Sequence, residues 1–262
     1  MPVFSAINAS SPDHWWRCAD PGGLLLQDIG TALRVPLYTQ GNAPTPYTGP
    51  SSDGGCACLV PTSHAGNNQA AFIIPTPPAH FSIEGFWFPL DLPTNGNTLF
   101  ELGVSAAKIG IAILASQHPQ FYFSGFGGSP SVTSFSAITF NAWHHLAATF
   151  DGTTMSIYVN GSLAATTTTA ADPSDPYGVY LAQNAGGVGA ASAAADVALY
   201  QRTITPTEVG AHYAAADQLT NYPVFRGGAA YPNPVGGSGN IGDDLSSVLA
   251  AVRRTVTTVG QP

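Results

Sequence analysis

Carboxylates and histidines are the side chains here with the most chemical reach, and they are few. The chain has three glutamates, Glu84, Glu101 and Glu208. Hydrolysis of a glycosidic bond needs two carboxyl groups facing one cleft, about 5 Å apart for retention and further for inversion, and no close run of acidic residues sets such a pair on one strand. Glu208 follows Thr205 and Pro206 at the spacing of a helix capping box, which explains it without catalysis. His144 and His145 are neighbours, and adjacent strand residues point to opposite faces, so they cannot grip one ion; one is expected buried and hydrogen-bonded, the other exposed. No Gly-x-Ser-x-Gly elbow presents a nucleophile. Cys56-x-Cys58 lacks the second ligand pair of a zinc site, and Cys18, Cys56 and Cys58 are too sparse for a disulfide framework, so all three read as free thiols. No enzyme activity is expected.

Sugar rings stack on aromatic faces and hydrogen-bond to amides and hydroxyls, a chemistry this chain can supply. The candidates are Trp15, Trp16, Tyr122, Phe126, Tyr177 and Tyr180. Trp15 and Trp16 occupy adjacent strand positions and should face opposite ways, which predicts that one of them is exposed.

Composition narrows the partners. Charged residues are only 8% of the 262, the net charge is −8, and Lys108 is the single lysine. Nucleic-acid binding and docking on anionic membranes both need basic residues, and no apolar run is long enough to span a bilayer. The first residues lack the basic leader and sustained apolar stretch of a secretory signal. With 29 glycines and 22 prolines, the chain should turn often, which favours short strands over helices.

The elements that would position these residues are clearest in the second half. Asp151-Gly152 and Asn160-Gly161 read as two-residue hairpin turns with positive φ, and between them Met155, Ile157 and Val159 alternate with Ser156, Tyr158 and Asn160 as a strand with one face toward solvent. Further strands are expected over 70–74, 98–103, 109–114, 120–124 and 164–171, then a short strand carrying Val197 and Leu199 and a helix over 206–217.

Trp143-His-His-Leu-Ala with the following Tyr158-Val-Asn-Gly161, the closing Asp196-Val197, Tyr200 and Arg202-Thr-Ile-Thr205, the opening Ser11-Pro-Asp-His-Trp-Trp-Arg17 with Asp28-Ile-Gly30, and Phe81-Ser-Ile-Glu-Gly-Phe-Trp-Phe88 together resemble the laminin-G-like, concanavalin A-like jelly-roll family over roughly residues 11–218. The resemblance implies an all-β antiparallel jelly-roll sandwich with one short helix after its last strand. It also implies a calcium site in which Asp28 and Asp196 are the matching carboxylates, although Ala195 stands where relatives carry another acid; otherwise Asp28 makes a turn and Asp196 a hydrogen bond. Phage minor tail and head decoration proteins often carry such domains, so the resemblance implies a noncatalytic virion protein whose lectin-like domain meets a host glycan. A polysaccharide-active enzyme or accessory binding module, and an exported adhesion protein, are the rival readings.

The jelly roll is expected over 1–220. Residues 221–262 read as a Gly/Pro-rich linker and an amphipathic helix with acids at its start, arginines later and an apolar stripe of Leu245, Val248, Leu249, Val252 and Val256. That stripe would dock on its own domain, on copies of itself or on other virion proteins.

Overall fold

Three long strands bury every residue they contain: β7 (Phe81–Pro89), β12 (His144–Phe150) and β16 (Ser192–Tyr200). A half-solvated strand would alternate, so a fully buried one needs cover on both faces. The computed structural model supplies it. It describes residues 3–18, 25–26, 28–32, 37–38, 45–50, 56–60, 69–74, 79–89, 97–103, 107–125, 128–173, 177–181, 192–217 and 219. The predicted linker and helix of 221–262, including Leu245, Val248, Leu249, Val252 and Val256, lie outside them, as does Phe126.

Among the described residues two antiparallel sheets face each other. The larger runs β14 (Ser162–Thr168), β13 (Thr154–Val159), β12, β7, β16, β5 (Cys56–Val60) and β4 (Thr45–Thr48), with β1 (His14–Trp16) also paired to β16. The smaller runs β11 (Ser131–Thr133), β10 (Pro119–Ser124), β9 (Lys108–Ile113), β8 (Asn97–Leu102), β15 (Tyr177–Leu181) and β6 (Gln69–Ile74). A two-stranded piece pairs β2 (Leu25–Leu26) with β3 (Leu37–Tyr38). Between the sheets lies the main core, where Phe81, Phe121, Phe123 and Phe150 meet at ring separations of 5.1 to 6.3 Å beside Trp16, Trp87, Ile111 and Leu146.

The outer face of the larger sheet holds a second apolar layer of Trp15, Phe86, Phe88, Trp143, Tyr158 and Tyr200. Two helices close it. α1 (Val3–Ala9) contributes Val3 and Ile7, and α2 (Pro206–Ala214) contributes Val209. The predicted box at α2 forms: Thr205 accepts from the Glu208 N–H and Glu208 accepts from the Thr205 N–H.

The second layer corrects three expectations. Trp15 and Trp16 do face opposite ways, but both are buried, because Trp15 lies under α1 with the Phe4 ring centroid 5.1 Å away. His144 and His145 are likewise both buried. The Ser156–Tyr158 face of β13 is closed too rather than solvated. Of the two predicted hairpin turns, Asn160 (φ 51°) and Gly161 (φ 78°) adopt the expected left-handed pair, whereas at 151–152 only Gly152 has positive φ and Asp151 instead accepts from the Thr153 and Thr154 N–H groups.

A single buried carboxylate ties the helices to the sheet. Glu84 on β7 accepts from His145 Nε2 at 3.1 Å, from His212 Nδ1 on α2 at 3.0 Å, and from the Tyr200 hydroxyl. His212 reaches on through Nε2 to Ser10 Oγ at 2.9 Å, at the end of α1. Burial alone would raise the Glu84 pKa, but the two histidines outweigh it and hold the carboxyl well below its usual range. Burial opposes protonation of His212, and the bond and charge of Glu84 overcome that and raise its pKa.

The signs define a window. Glu84, depressed, stabilises fully above its ordinary 4.5 and less as pH falls below it; His212, raised, stabilises fully below its ordinary 6.5 and less as pH climbs through its folded value. Thermal melts across pH should therefore plateau between about 4.5 and 6.5 and decline on both sides. Removing the shared acceptor with Glu84→Ala should cost about 3–5 kcal/mol, since three buried donors lose their partner, while Glu84→Gln should flatten the acid limb; an unchanged pH profile in Glu84→Gln would contradict the assignment.

Candidate functional site

The smaller sheet has no helical cover among the described residues, and its strands β10 and β11 keep the alternation the larger sheet loses, whereas β8 and β9 are buried along nearly all their described length. Along β10, Pro119, Phe121 and Phe123 are buried while Gln120, Tyr122 and Ser124 are only partly so. Cross-strand register sets the outward residues in rows. Glu101, Gly110, Tyr122 and Ser131 form one row across β8, β9, β10 and β11, and Thr98, Ala112, Gln120 and Thr133 form the next.

Tyr122 is the centre of this face. A Cβ added to Gly110 would lie 2.6 Å from the Tyr122 ring and its hydroxyl oxygen, so the tyrosine ring lies across the bare backbone of β9 rather than standing off the sheet. Its hydroxyl donates to Glu101 Oε2 at 2.6 Å, and Lys108 Nζ sits 3.4 Å from Glu101 Oε1. Burial, then the Glu101 charge, push the Tyr122 hydroxyl well above its ordinary pKa, so it stays a donor at any physiological pH. Gln120 Nε2 donates to Thr133 Oγ1 at 3.1 Å. The result is a half-buried aromatic platform fixed at both ends, flanked by an amide and hydroxyls, with the one lysine of the chain neutralised by the one acid of the two rows.

Such a surface can stack and hydrogen-bond an uncharged, polyhydroxylated ligand. It does not resemble a hydrolytic centre, because these rows hold no second carboxylate. The other two glutamates are engaged as well, Glu84 in the buried cluster and Glu208 in the α2 cap and a bond from Arg202.

The remaining predicted residues do not join Tyr122. Trp15 and Trp16 are core. Tyr177 and Tyr180 belong to β15, their own side chains lying outside the described ones, and Tyr180 stands opposite Glu101 in register. Asp28 accepts from His14 Nδ1 at 2.6 Å, from the Trp15 N–H at 2.8 Å and from the Gly30 N–H at 2.9 Å, so it pins the turn after β1. Asp196 adopts φ 49° at the bulge where β16 exchanges β5 for β1 as its neighbour, and Arg17 Nε donates to it at 3.0 Å. An aspartate tolerates that left-handed geometry better than most residues.

These two carboxylates do not fit the calcium site implied by the family, since an ion would have to displace a cation and three N–H donors, and hard cations need six to eight oxygens. Among the described residues no three His, Cys, Asp or Glu side chains gather as metal ligands. Cys18 is buried, and its Sγ–H donates to the Trp16 carbonyl oxygen at 3.8 Å; the side chains of Cys56 and Cys58 lie outside the described ones.

Gly110 is the site residue that sequence reasoning passed over. A glycine inside an apolar strand pattern, with no turn to make, marks a place where something approaches the backbone closely, and here that is Tyr122.

Comparison with known proteins agrees with this architecture. Residues 65–210, more than half of the chain, match the family described as the concanavalin A-like lectin/glucanases superfamily. No curated protein sequence matches. Among solved structures, domain 4 of AbnA, a GH43 extracellular arabinanase from Geobacillus stearothermophilus solved in complex with arabinotriose, is similar with a TM-score of 0.61 at 15% identity, covering 78% of this chain and 98% of that domain. Trypanosoma rangeli sialidase is similar with a TM-score of 0.53 at 13% identity over 80% of this chain, which spans about a third (33%) of the sialidase. At such identities the likeness is one of fold. Two facing antiparallel sheets with the closing strand and capped helix in family order, and the family match itself, lead to one conclusion: the chain belongs to the concanavalin A-like lectin/glucanase superfamily.

Proposed function

We propose that this domain is a noncatalytic carbohydrate-recognition module and that the outward face of the smaller sheet, centred on Tyr122, is where the sugar lies. The observation that carries this reading is the Tyr122 ring laid over Gly110 and held by Glu101. A ring fixed in that pose presents its π-face to a sugar at little entropic cost, and Gln120, Ser131 and Thr133 stand in the same two rows to meet hydroxyls. The engagement of all three glutamates supports a binding role over hydrolysis.

The wider setting we propose is a bacteriophage particle, with the module displayed on tail or capsid and residues 221–262 joining it to other virion proteins. Support for that setting is compositional: one lysine, 8% charged residues and an Ala/Thr/Gly-rich chain, together with the Leu/Val stripe of the last segment.

Binding to a panel of bacterial wall glycans and arabino-oligosaccharides, read by calorimetry, should be weakened roughly tenfold to a hundredfold by Tyr122→Ala. Gly110→Val should match that loss by lifting the ring, with a stability cost of about 1–3 kcal/mol. Equal affinity in both variants would move the site elsewhere. Incubation with the same glycans should release no new reducing ends; release would make the protein an enzyme. Deleting residues 221–262 should abolish incorporation into particles, and a truncated chain that still joins them would reject the anchor.

A further inference from the structure

Charge is unevenly spread along this chain. In residues 109–171 Asp151 is the only Asp, Glu, Lys or Arg, whereas at the chain's own charged fraction of 8% roughly five would fall there. Those residues build one end of both sheets, namely β10 and β11 with nearly all of β9 in one, and β12, β13 and β14 in the other. Among the described residues β11 and β14 are the terminal strands of their sheets and pack against each other, so the two edges share one flank. Asp151 does not belong to either edge strand; it sits in the β12–β13 turn and caps the N–H groups of Thr153 and Thr154.

The same region carries the two most exposed large apolar side chains among the described residues. Phe135, two residues past β11, is 85% exposed, and Leu163 on β14 is 55% exposed. Leu163 owes its position to a bulge. Register shifts between Ile157 and Tyr158, so Ala165 stands opposite Ile157 on the inner face while Leu163 stands opposite Tyr158 on the outer one. In regular alternation Leu163 would share the inward face of Ala165.

Sheet edges are usually guarded by lysine, proline or an inward charge. β14, Ser-Leu-Ala-Ala-Thr-Thr-Thr, has none of them. A chain of net charge −8 repels its own copies wherever acidic surfaces meet, and this flank is where two copies can approach without opposing like charges. Serine and threonine pairs across a shared edge are favourable contacts. β14 is ~24 Å long and the two edges are ~10 Å apart before side chains, so the flank could cover on the order of 500 Å² per protomer, the lower bound for a specific interface.

We propose that the flank formed by β11 and β14, with Phe135 and Leu163 at its contacts, is a self-association surface on which a second copy of this chain packs about a twofold axis. The association is reversible, with a dissociation constant in the micromolar range appropriate to so small an area.

Sedimentation of the full chain from about 1 to 100 µM should show a monomer–dimer equilibrium. Leu163→Lys and Phe135→Glu should each weaken the dimer at least roughly tenfold, with circular dichroism and melting temperature unchanged because both side chains are exposed. Thr166→Lys, on the exposed side of β14, gives a third independent reading should either variant disturb folding. A chain that stays monomeric at ~100 µM, a dimer that survives all three charges, or a dimer lost only on removing residues 221–262 would each overturn the proposal.

Discussion

Because β7, β12 and β16 bury every residue they contain, the larger sheet must be closed on both faces, and most of the architecture follows from that requirement. The smaller sheet closes one face and two helices close the other. Helices of seven and nine residues have little stability of their own. They hold because their apolar residues complete a layer already present on the sheet, and because Glu84 binds α2 through His212 while His212 reaches α1 through Ser10. A buried charge with three donors is costly to disturb, so the cluster fixes where the helices dock as well as helping them stay.

The helical cover decides where a ligand can meet the protein. Trp15, Phe86, Trp143 and Tyr200, which could otherwise have formed an aromatic surface, are sealed beneath α1 and α2 or the sheet. Among the described residues, the outward side chains of β10 and β11 stay partly exposed, where small residues at Gly110 and Ala112 leave room for Tyr122 and Gln120 beside them. The chain's low charge gives that face its character, since hydroxyls and an amide surround a neutralised Lys108–Glu101 pair.

Much of the fold was legible in the residues. Alternation marked β13 as a strand, Asn160-Gly161 marked the β13–β14 hairpin, and Thr205, Pro206 and Glu208 marked the start of α2, because each of those signals is local. What escaped was nonlocal. Val3–Ala9 shows no cap or acidic first turn, and its helix exists to cover Trp15, a partner identified only once the sheet is assembled. The expectation of one exposed tryptophan and one exposed histidine failed for the same reason: the period of a strand tells which residues share a face, but not whether a second layer lies on it. Of the site, Tyr122 was legible as an aromatic candidate, while the pose that makes it useful depends on Gly110 in the neighbouring strand. Asp28 and Asp196 match the family pattern, yet His14, Arg17 and backbone N–H groups engage them, a role no single-strand pattern reveals.

The central claim is the proposal that a sugar binds the partly exposed face around Tyr122. Its most direct test is amide chemical-shift mapping of the labelled protein during titration with an oligosaccharide that binds it. The account predicts that the largest shifts fall on Thr98, Gly110, Gln120, Tyr122 and Thr133 and leave His14, Asp28 and Asp196 unmoved. Shifts confined to the residues around Asp28 and Asp196 would contradict it.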